Sequence, residues 1–271
     1  MSSKYGGYED QPFVAEFYDY MYDDLPRRDV EFFVDYSCKA GGKTLELGCG
    51  TGRVLVPTTA AGCEIVGLDL SPYMLQKCRE KLAKQPVEVQ MKARLVQGDI
   101  TRFYLDEQFA LVTVPFRPFQ HLISIAEQKD CLNCIARHLQ PDGLLVFDVF
   151  HPFIPRLVDP KYLMEINVKA DIPMSGFRKL TYSNRTKAFH REEQHNDVEI
   201  IFYVKNPDGS EERLVQSFPM RYFYRYEMVH LLELCGFEIV ELFGDFDKSR
   251  FTAESPEMIF VARKVKKAAT A

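Results

Sequence analysis

The chain has 271 residues, 46% of them hydrophobic, enough to bury a large core as one domain or one domain with an excursion, and its formal net charge is −5. That charge, with the basic cluster Lys264-Val265-Lys266-Lys267 confined to the tail, excludes the electrostatic footprint of a nucleic-acid binder and disfavours an anionic membrane surface. No apolar run reaches the roughly 20 residues of a membrane span, Met1 to Gln11 does not read as a signal peptide, and seven irregularly spaced cysteines suit reduced thiols, so a cytoplasmic location is expected.

Phe13 to Tyr36 carries apolar residues at helical spacing, and Pro26 beside Asp23-Asp24-Leu25 divides it into two helices. A strand at 43–47 then runs into Gly48-Cys49-Gly50-Thr51-Gly52 and a helix at 51–61. Glycines at such a turn let the backbone approach a ligand, and the helix that follows presents unpaired N–H groups. Glu46 stands two residues before the first glycine, and Arg53 stands where the dinucleotide spacing G-x-G-x-x-G departs from this one. The spacing favours S-adenosylmethionine (SAM) over NAD, which weakens the reading as an NAD-dependent oxidoreductase.

A second strand at 64–69 ends in Asp69, nineteen residues after Gly50, where a carboxylate can accept both hydroxyls of a ribose. Leu70 follows, Ser71-Pro72 opens a helix over 72–83, and Met74 lies in its first turn; both Leu70 and Met74 are counted with the cofactor residues. A third strand at 93–97 ends in Gly98-Asp99-Ile100, an acid placed for an adenine amino group beside an apolar wall. Strands at 109–114 (ending in Val114) and 143–149 flank a helix at 127–139, and Pro141-Asp142-Gly143 marks the turn between the helix and the second of these strands. Cys131-Leu132-Asn133-Cys134 falls inside that helix and reads as packing; no metal site is expected. After His151 the rhythm changes to strand-like stretches at 177–190, 197–205 and 212–222, with Asn206-Pro207-Asp208-Gly209 as a turn, before a helix at 225–235 and strands at 237–243 and 257–263.

This alternation predicts an α/β fold, a Rossmann-like, doubly wound, mostly parallel seven-stranded sheet with an antiparallel excursion before the C-terminal elements. The expected organisation is a helical cap at 1–40, a cofactor-binding core at 41–152, the excursion at 153–224 as a substrate lid or dimer contact, and a helix and hairpin at 225–271 that complete the core sheet.

Taken together, Glu46-x-Gly-x-Gly-x-Gly, Gly67-Leu68-Asp69 and Gly98-Asp99-Ile100 resemble the cofactor motifs of class I SAM-dependent methyltransferases, over a span from about Phe17 to Val261. The segment Val114-Pro115-Phe116-Arg117-Pro118-Phe119-Gln120-His121-Leu122 and the N-terminal Tyr18-Asp19-Tyr20-Met21-Tyr22 resemble small-molecule N-methyltransferases, among them the nucleotide-sugar N,N-dimethyltransferases. The resemblance implies SAM as cofactor and S-adenosylhomocysteine as product, with cofactor contacts from Tyr18, Glu46, Gly48, Cys49, Gly50, Asp69, Leu70, Met74, Gly98, Asp99, Ile100 and Val114. Tyr22 would face the substrate and share catalysis with His121, the residue of its loop able to take a proton near neutral pH. Phe119, His151, Arg221 and Tyr224 are further substrate candidates.

The expected reaction is direct displacement onto a small-molecule acceptor, first an amine nitrogen. O-methylation of a hydroxyl or carboxylate, and a non-catalytic SAM-binding protein, stand as alternatives. The partners expected are a small molecule, neither nucleic acid nor membrane, with a homodimer left open.

Overall fold

The computed structural model describes residues 5–22 and 27–265, which fall into two units. The first unit comprises Arg27–His151 and the chain from Tyr222 onward, and the second comprises the N-terminal residues before Arg27 and Pro152–Arg221. The expected helix break at Asp23-Asp24-Leu25-Pro26, and Lys266 and Lys267 of the basic tail, lie outside the described residues.

In chain order the elements open with α1 (Pro12–Tyr22), α2 (Asp29–Lys39), β1 (Thr44–Leu47), α3 (Leu55–Ala60), β2 (Ile65–Asp69), α4 (Pro72–Leu82), α5 (Val87–Gln90) and β3 (Ala93–Gln97). There follow β4 (Phe109–Val114), α6 (Ile125–His138), β5 (Leu139–Phe150), α7 (Ile154–Val158), β6 (Ile166–Pro173), β7 (Lys179–His190), β8 (His195–Lys205) and β9 (Glu211–Arg221). The chain closes with α8 (Arg225–Leu234), β10 (Phe237–Phe243) and β11 (Glu257–Lys264).

In the first unit β1 is buried at every position and β4 at nearly every one, as expected of strands covered on both faces. They sit in the middle of a seven-stranded sheet of order β10-β11-β5-β4-β1-β2-β3. The five strands β3, β2, β1, β4 and β5 are parallel, whereas β11 runs antiparallel to β5 and β10 antiparallel to β11. This is the doubly wound, mostly parallel sheet read from the sequence. Strand order reverses between β1 and β4, and in such sheets ligands bind outside the carboxyl ends of the strands at that point. Phe109, Phe119, Phe147, Phe223 and Phe260 fill one core with Leu45, Leu47 and Leu132. Burying a side chain of this size contributes about 1.5–3 kcal/mol.

Local chemistry starts α4 where the sequence suggested: the Ser71 hydroxyl accepts from the Met74 N–H at 3.1 Å with Pro72 in the first turn. Helix α6 starts at Ile125, two residues before the expected 127, because Ser124 and Glu127 close a reciprocal box ahead of it. Two boundaries move for physical reasons. Helix α3 begins at Leu55 rather than 51, because residues 48–54 are used by the glycine turn. Strand β5 begins at Leu139 rather than 143, since the Pro-Asp-Gly segment is absorbed as an irregularity in the strand: Asp142 takes φ 64° and the β4 register shifts between Phe109 and Leu111.

The second unit holds a four-stranded antiparallel sheet of order β6-β7-β8-β9. Its last two strands are joined by the Asn206–Gly209 turn, in which Gly209 at φ 85° donates its N–H to the Asn206 carbonyl at 3.0 Å. Phe17 and Met21 of α1 pack with Leu180, Phe202 and Phe218 of this sheet. Strand β6 has no counterpart in the sequence reading. It is exposed at nearly every residue and its register slips twice, so no apolar alternation marks it. Among the described residues no helix is long and apolar enough to cross a membrane.

Candidate functional site

The turn after β1 takes the left-handed conformation three times, at Gly48 (φ 70°), Gly50 (φ 53°) and Gly52 (φ 81°). Their surroundings differ. A Cβ at 48 would lie 2.5 Å from Pro118 Cγ and one at 52 would lie 2.6 Å from Cys78 Sγ, whereas one at 50 would meet nothing within 4 Å. Gly48 and Gly52 therefore serve close packing, and Gly50 leaves backbone open to a ligand. Cys49 turns inward and packs with Leu55, Leu75 and Cys78, so what it offers a ligand is main chain.

Two carboxylates converge on this turn. Asp69, at the end of β2, accepts the Gly50 N–H on Oδ2 at 2.7 Å and the Ser71 N–H on Oδ1 at 2.8 Å. Each oxygen keeps a further lone pair, so the group is held in place with capacity for two more donors, as a ribose diol requires. Glu46 on β1 is 2% exposed, and its Oε2 has no hydrogen-bond partner among the described residues. Burial, reinforced by Asp69 and opposed by Arg53, pushes its pKa up to about 8. A buried carboxyl with an unpartnered oxygen, an open glycine backbone and an oriented carboxylate suit a ribose-bearing ligand whose own positive charge would draw the proton off Glu46, and SAM has both features. At the end of β3, Asp99 Oδ1 accepts from the N–H and the hydroxyl of Thr101, Oδ2 pairs with Arg102 at 3.3 Å, and Ile100 packs against the main core.

The turn after β4 is built differently. Phe116 and Arg117 both take positive φ, 65° and 73°, a conformation that costs a non-glycine residue about 1–2 kcal/mol. They are held by buried charge. The Phe116 N–H donates to Asp148 Oδ1 at 2.7 Å, and Arg117 pairs with Glu257. Arg27 reaches Asp148 and Glu257, each at 3.2 Å, while Arg53 donates to Asp29 Oδ1 at 3.1 Å. Three guanidiniums thus face three carboxylates. Asp29 and Asp148 are fully buried, and the Phe116 ring lies 5.1 Å from the Arg27 guanidinium and 4.6 Å from that of Arg53. The segment continues into a short 3-10 turn, Pro118–His121, fastened to β5 where Gln120 Oε1 accepts from the Phe150 N–H at 3.0 Å. Burial pushes the His121 imidazole down to about 4.

Glu46, Gly48, Gly50, Asp69 and Leu70 are brought together around the glycine turn, and Val114 and His121 belong to the neighbouring strand and its loop. Other candidates are placed elsewhere. Phe119 is 1% exposed, its ring against Phe147 and Phe223, which makes it a core residue with no surface for a substrate. Met74 is likewise buried. His151 Nδ1 lies 2.8 Å from the Ser255 carbonyl, which can only accept; Tyr224 is the residue preceding α8 and is exposed. Tyr18, Tyr22 and Arg221 belong to the second unit, the two tyrosine rings 4.8 Å apart on α1 and Arg221 donating to the Glu193 carbonyl. Cys131 and Cys134 are buried on α6, as packing requires. The sequence reading missed Asp29, Arg27, Arg53, Asp148 and Glu257. Their one visible signal is an acid inside the apolar run Leu144–Phe150, a position that demands a partner.

Residues 44–143 match a family model described as a methyltransferase domain. The chain is similar to a putative methyltransferase of Bacillus subtilis, YqeM, at 26% identity over 93% of this chain and 96% of the relative. It is also 26% identical to the dTDP-3-amino-3,6-dideoxy-alpha-D-glucopyranose N,N-dimethyltransferase of Streptomyces fradiae, covering 83% of this chain and 84% of the relative. Among solved structures, the CcbJ methyltransferase of Streptomyces caelestis superposes with a TM-score of 0.74 at 25% identity, covering 97% of this chain and all of that one.

Proposed function

We propose that this chain, a SAM-dependent methyltransferase of small molecules, methylates the neutral amine nitrogen of its acceptor. Bound SAM supplies a methyl group already activated on a sulfonium, so the protein has only to align a lone pair and exclude water. Asp69, Glu46 and the open main chain at Gly50 hold the cofactor; Asp99 and Ile100 close its adenine end.

The observation that carries the amine is the state of His121. With its pKa pushed down to about 4 by burial, the imidazole is neutral near pH 7 and a weaker general base than a free histidine, which disfavours a hydroxyl acceptor. An amine needs no such help, because its neutral form presents the lone pair directly. His121 then positions the acceptor, and the proton released after transfer passes to solvent. The Streptomyces fradiae relative, named as an amino-sugar N,N-dimethyltransferase, supports the same choice.

Two acceptors of one carbon skeleton, bearing an amine or a hydroxyl, test this through S-adenosylhomocysteine formation. The amine is methylated and the hydroxyl is not. The rate rises with pH along the amine's own ionisation, and this limb survives in His121→Ala, whose kcat/KM falls by less than the roughly 10²–10⁴-fold cost of losing a general base. Equal turnover of the hydroxyl acceptor overturns the reading.

A further inference from the structure

The turn between β7 and β8 brings together residues that chain spacing keeps apart. The pairing register sets His190 opposite His195. Opposed residues share a face of the sheet, and so do residues two apart in one strand, so Asp197 joins both imidazoles on that face. The two rings stack with centroids 4.4 Å apart, and His190 Nε2 lies 3.1 Å from Asp197 Oδ2. One donor atom from each of the three residues lies within 4.8 Å of the other two. His195 is 9% exposed, and its Nδ1 has no hydrogen-bond partner among the described residues; Glu193 Oε2 stands 3.7 Å from that nitrogen.

A buried ring nitrogen without a partner is costly, and here it stands beside a second imidazole and a carboxylate. Imidazole and carboxylate donors suit a borderline divalent ion such as zinc, whereas magnesium and calcium take all-oxygen sets. Zinc–nitrogen bonds of about 2.0–2.1 Å put tetrahedral donors about 3.4 Å apart, so an ion would draw together donors that now lie within 4.8 Å of one another. Arg221, opposite His195 on β9, brings a cation to the same flank, and the carboxylates of Asp197 and Glu193 offset it. We propose that His190, His195 and Asp197 form a binding site for a divalent transition ion of the zinc class, with Glu193 in reach as a fourth ligand.

The full chain, stripped with a chelator and then titrated with Zn²⁺ against a chromophoric chelator, should take up one ion. His190→Ala and the isosteric Asp197→Asn should each weaken binding by about tenfold or more, with unchanged far-ultraviolet circular dichroism. Loading with Co²⁺ distinguishes the site from the seven cysteines, since nitrogen and oxygen ligands give d–d bands without thiolate charge transfer. Absence of binding, undiminished affinity in both variants, or a thiolate band that persists in them would overturn the proposal.

Discussion

The turns that follow β1 and β4 enter the same left-handed region of backbone space by opposite means. After β1 the chain uses glycine at 48, 50 and 52, for which that conformation is nearly free. After β4 it uses Phe116 and Arg117, for which it is strained. The strands are parallel neighbours and the turns touch, Gly48 lying against Pro118. In the first turn the main chain is the working surface, so side chains are removed. In the second the side chains themselves make the structure, and a buried ion cluster holds the strain they bring.

Removing the anchor of the second turn should therefore have the largest effect. Asp148→Ala takes away the acceptor of the Phe116 N–H and leaves Arg27 short of a buried partner. Breaking a buried pair from one side costs about 3–5 kcal/mol, readable as a lower urea midpoint. A loss under about 1 kcal/mol would mean that the cluster does not hold the turn.

Asp69→Ala attacks the first turn instead. The N–H groups of Gly50 and Ser71 lose their acceptor, and the cofactor loses a charged one. With charge-assisted bonds worth about 1.5–3 kcal/mol each, SAM affinity should fall tenfold or more by calorimetry, with less loss of stability than in Asp148→Ala. An unchanged affinity would remove Asp69 from the cofactor site.

A further effect is one of pH, and its sign differs between the two turns. Glu46, raised to about 8 by burial, keeps in the folded protein a proton that the unfolded chain releases near 4.5. Its contribution is full below that value and is lost as pH rises through about 8. His121, lowered to about 4 by burial, has a contribution that is full above about 6.5 and is lost as pH falls towards 4. Urea midpoints measured across pH should show a decline between about pH 4.5 and 8 that Glu46→Gln flattens, and a loss from about pH 6.5 down to 4 that His121→Ala flattens. Limbs that persist unchanged in these variants would assign the titration to other groups.

The same contrast explains how far the sequence could be read. Glycine spacing, the acid ending β2 and the apolar strands are local patterns, and most of the first turn is made of such patterns, Arg53 and its pair with Asp29 excepted. The second turn depends on pairs far apart in the chain, 121 residues between Arg27 and Asp148 and 140 between Arg117 and Glu257, which only the closed sheet brings together. Arg117 stood within a segment singled out for His121, yet no local rule marks it as strained or as an ion-pair donor. Phe119 looked available because it sits in a loop, but aromatic packing below the sheet edge claims it. The hairpin histidines are invisible for a similar reason, since their neighbourhood is a matter of register across two strands.

The placement of Phe116 also gives the protein an optical handle. The chain contains 14 tyrosines and no tryptophan, so an indole at position 116 would emit without competition from another. Seated near the guanidiniums of Arg27 and Arg53, one of which belongs to the glycine turn, it would change its emission with any rearrangement of either turn. Cofactor binding at the glycine turn could then be read as a change in emission and followed by stopped-flow mixing.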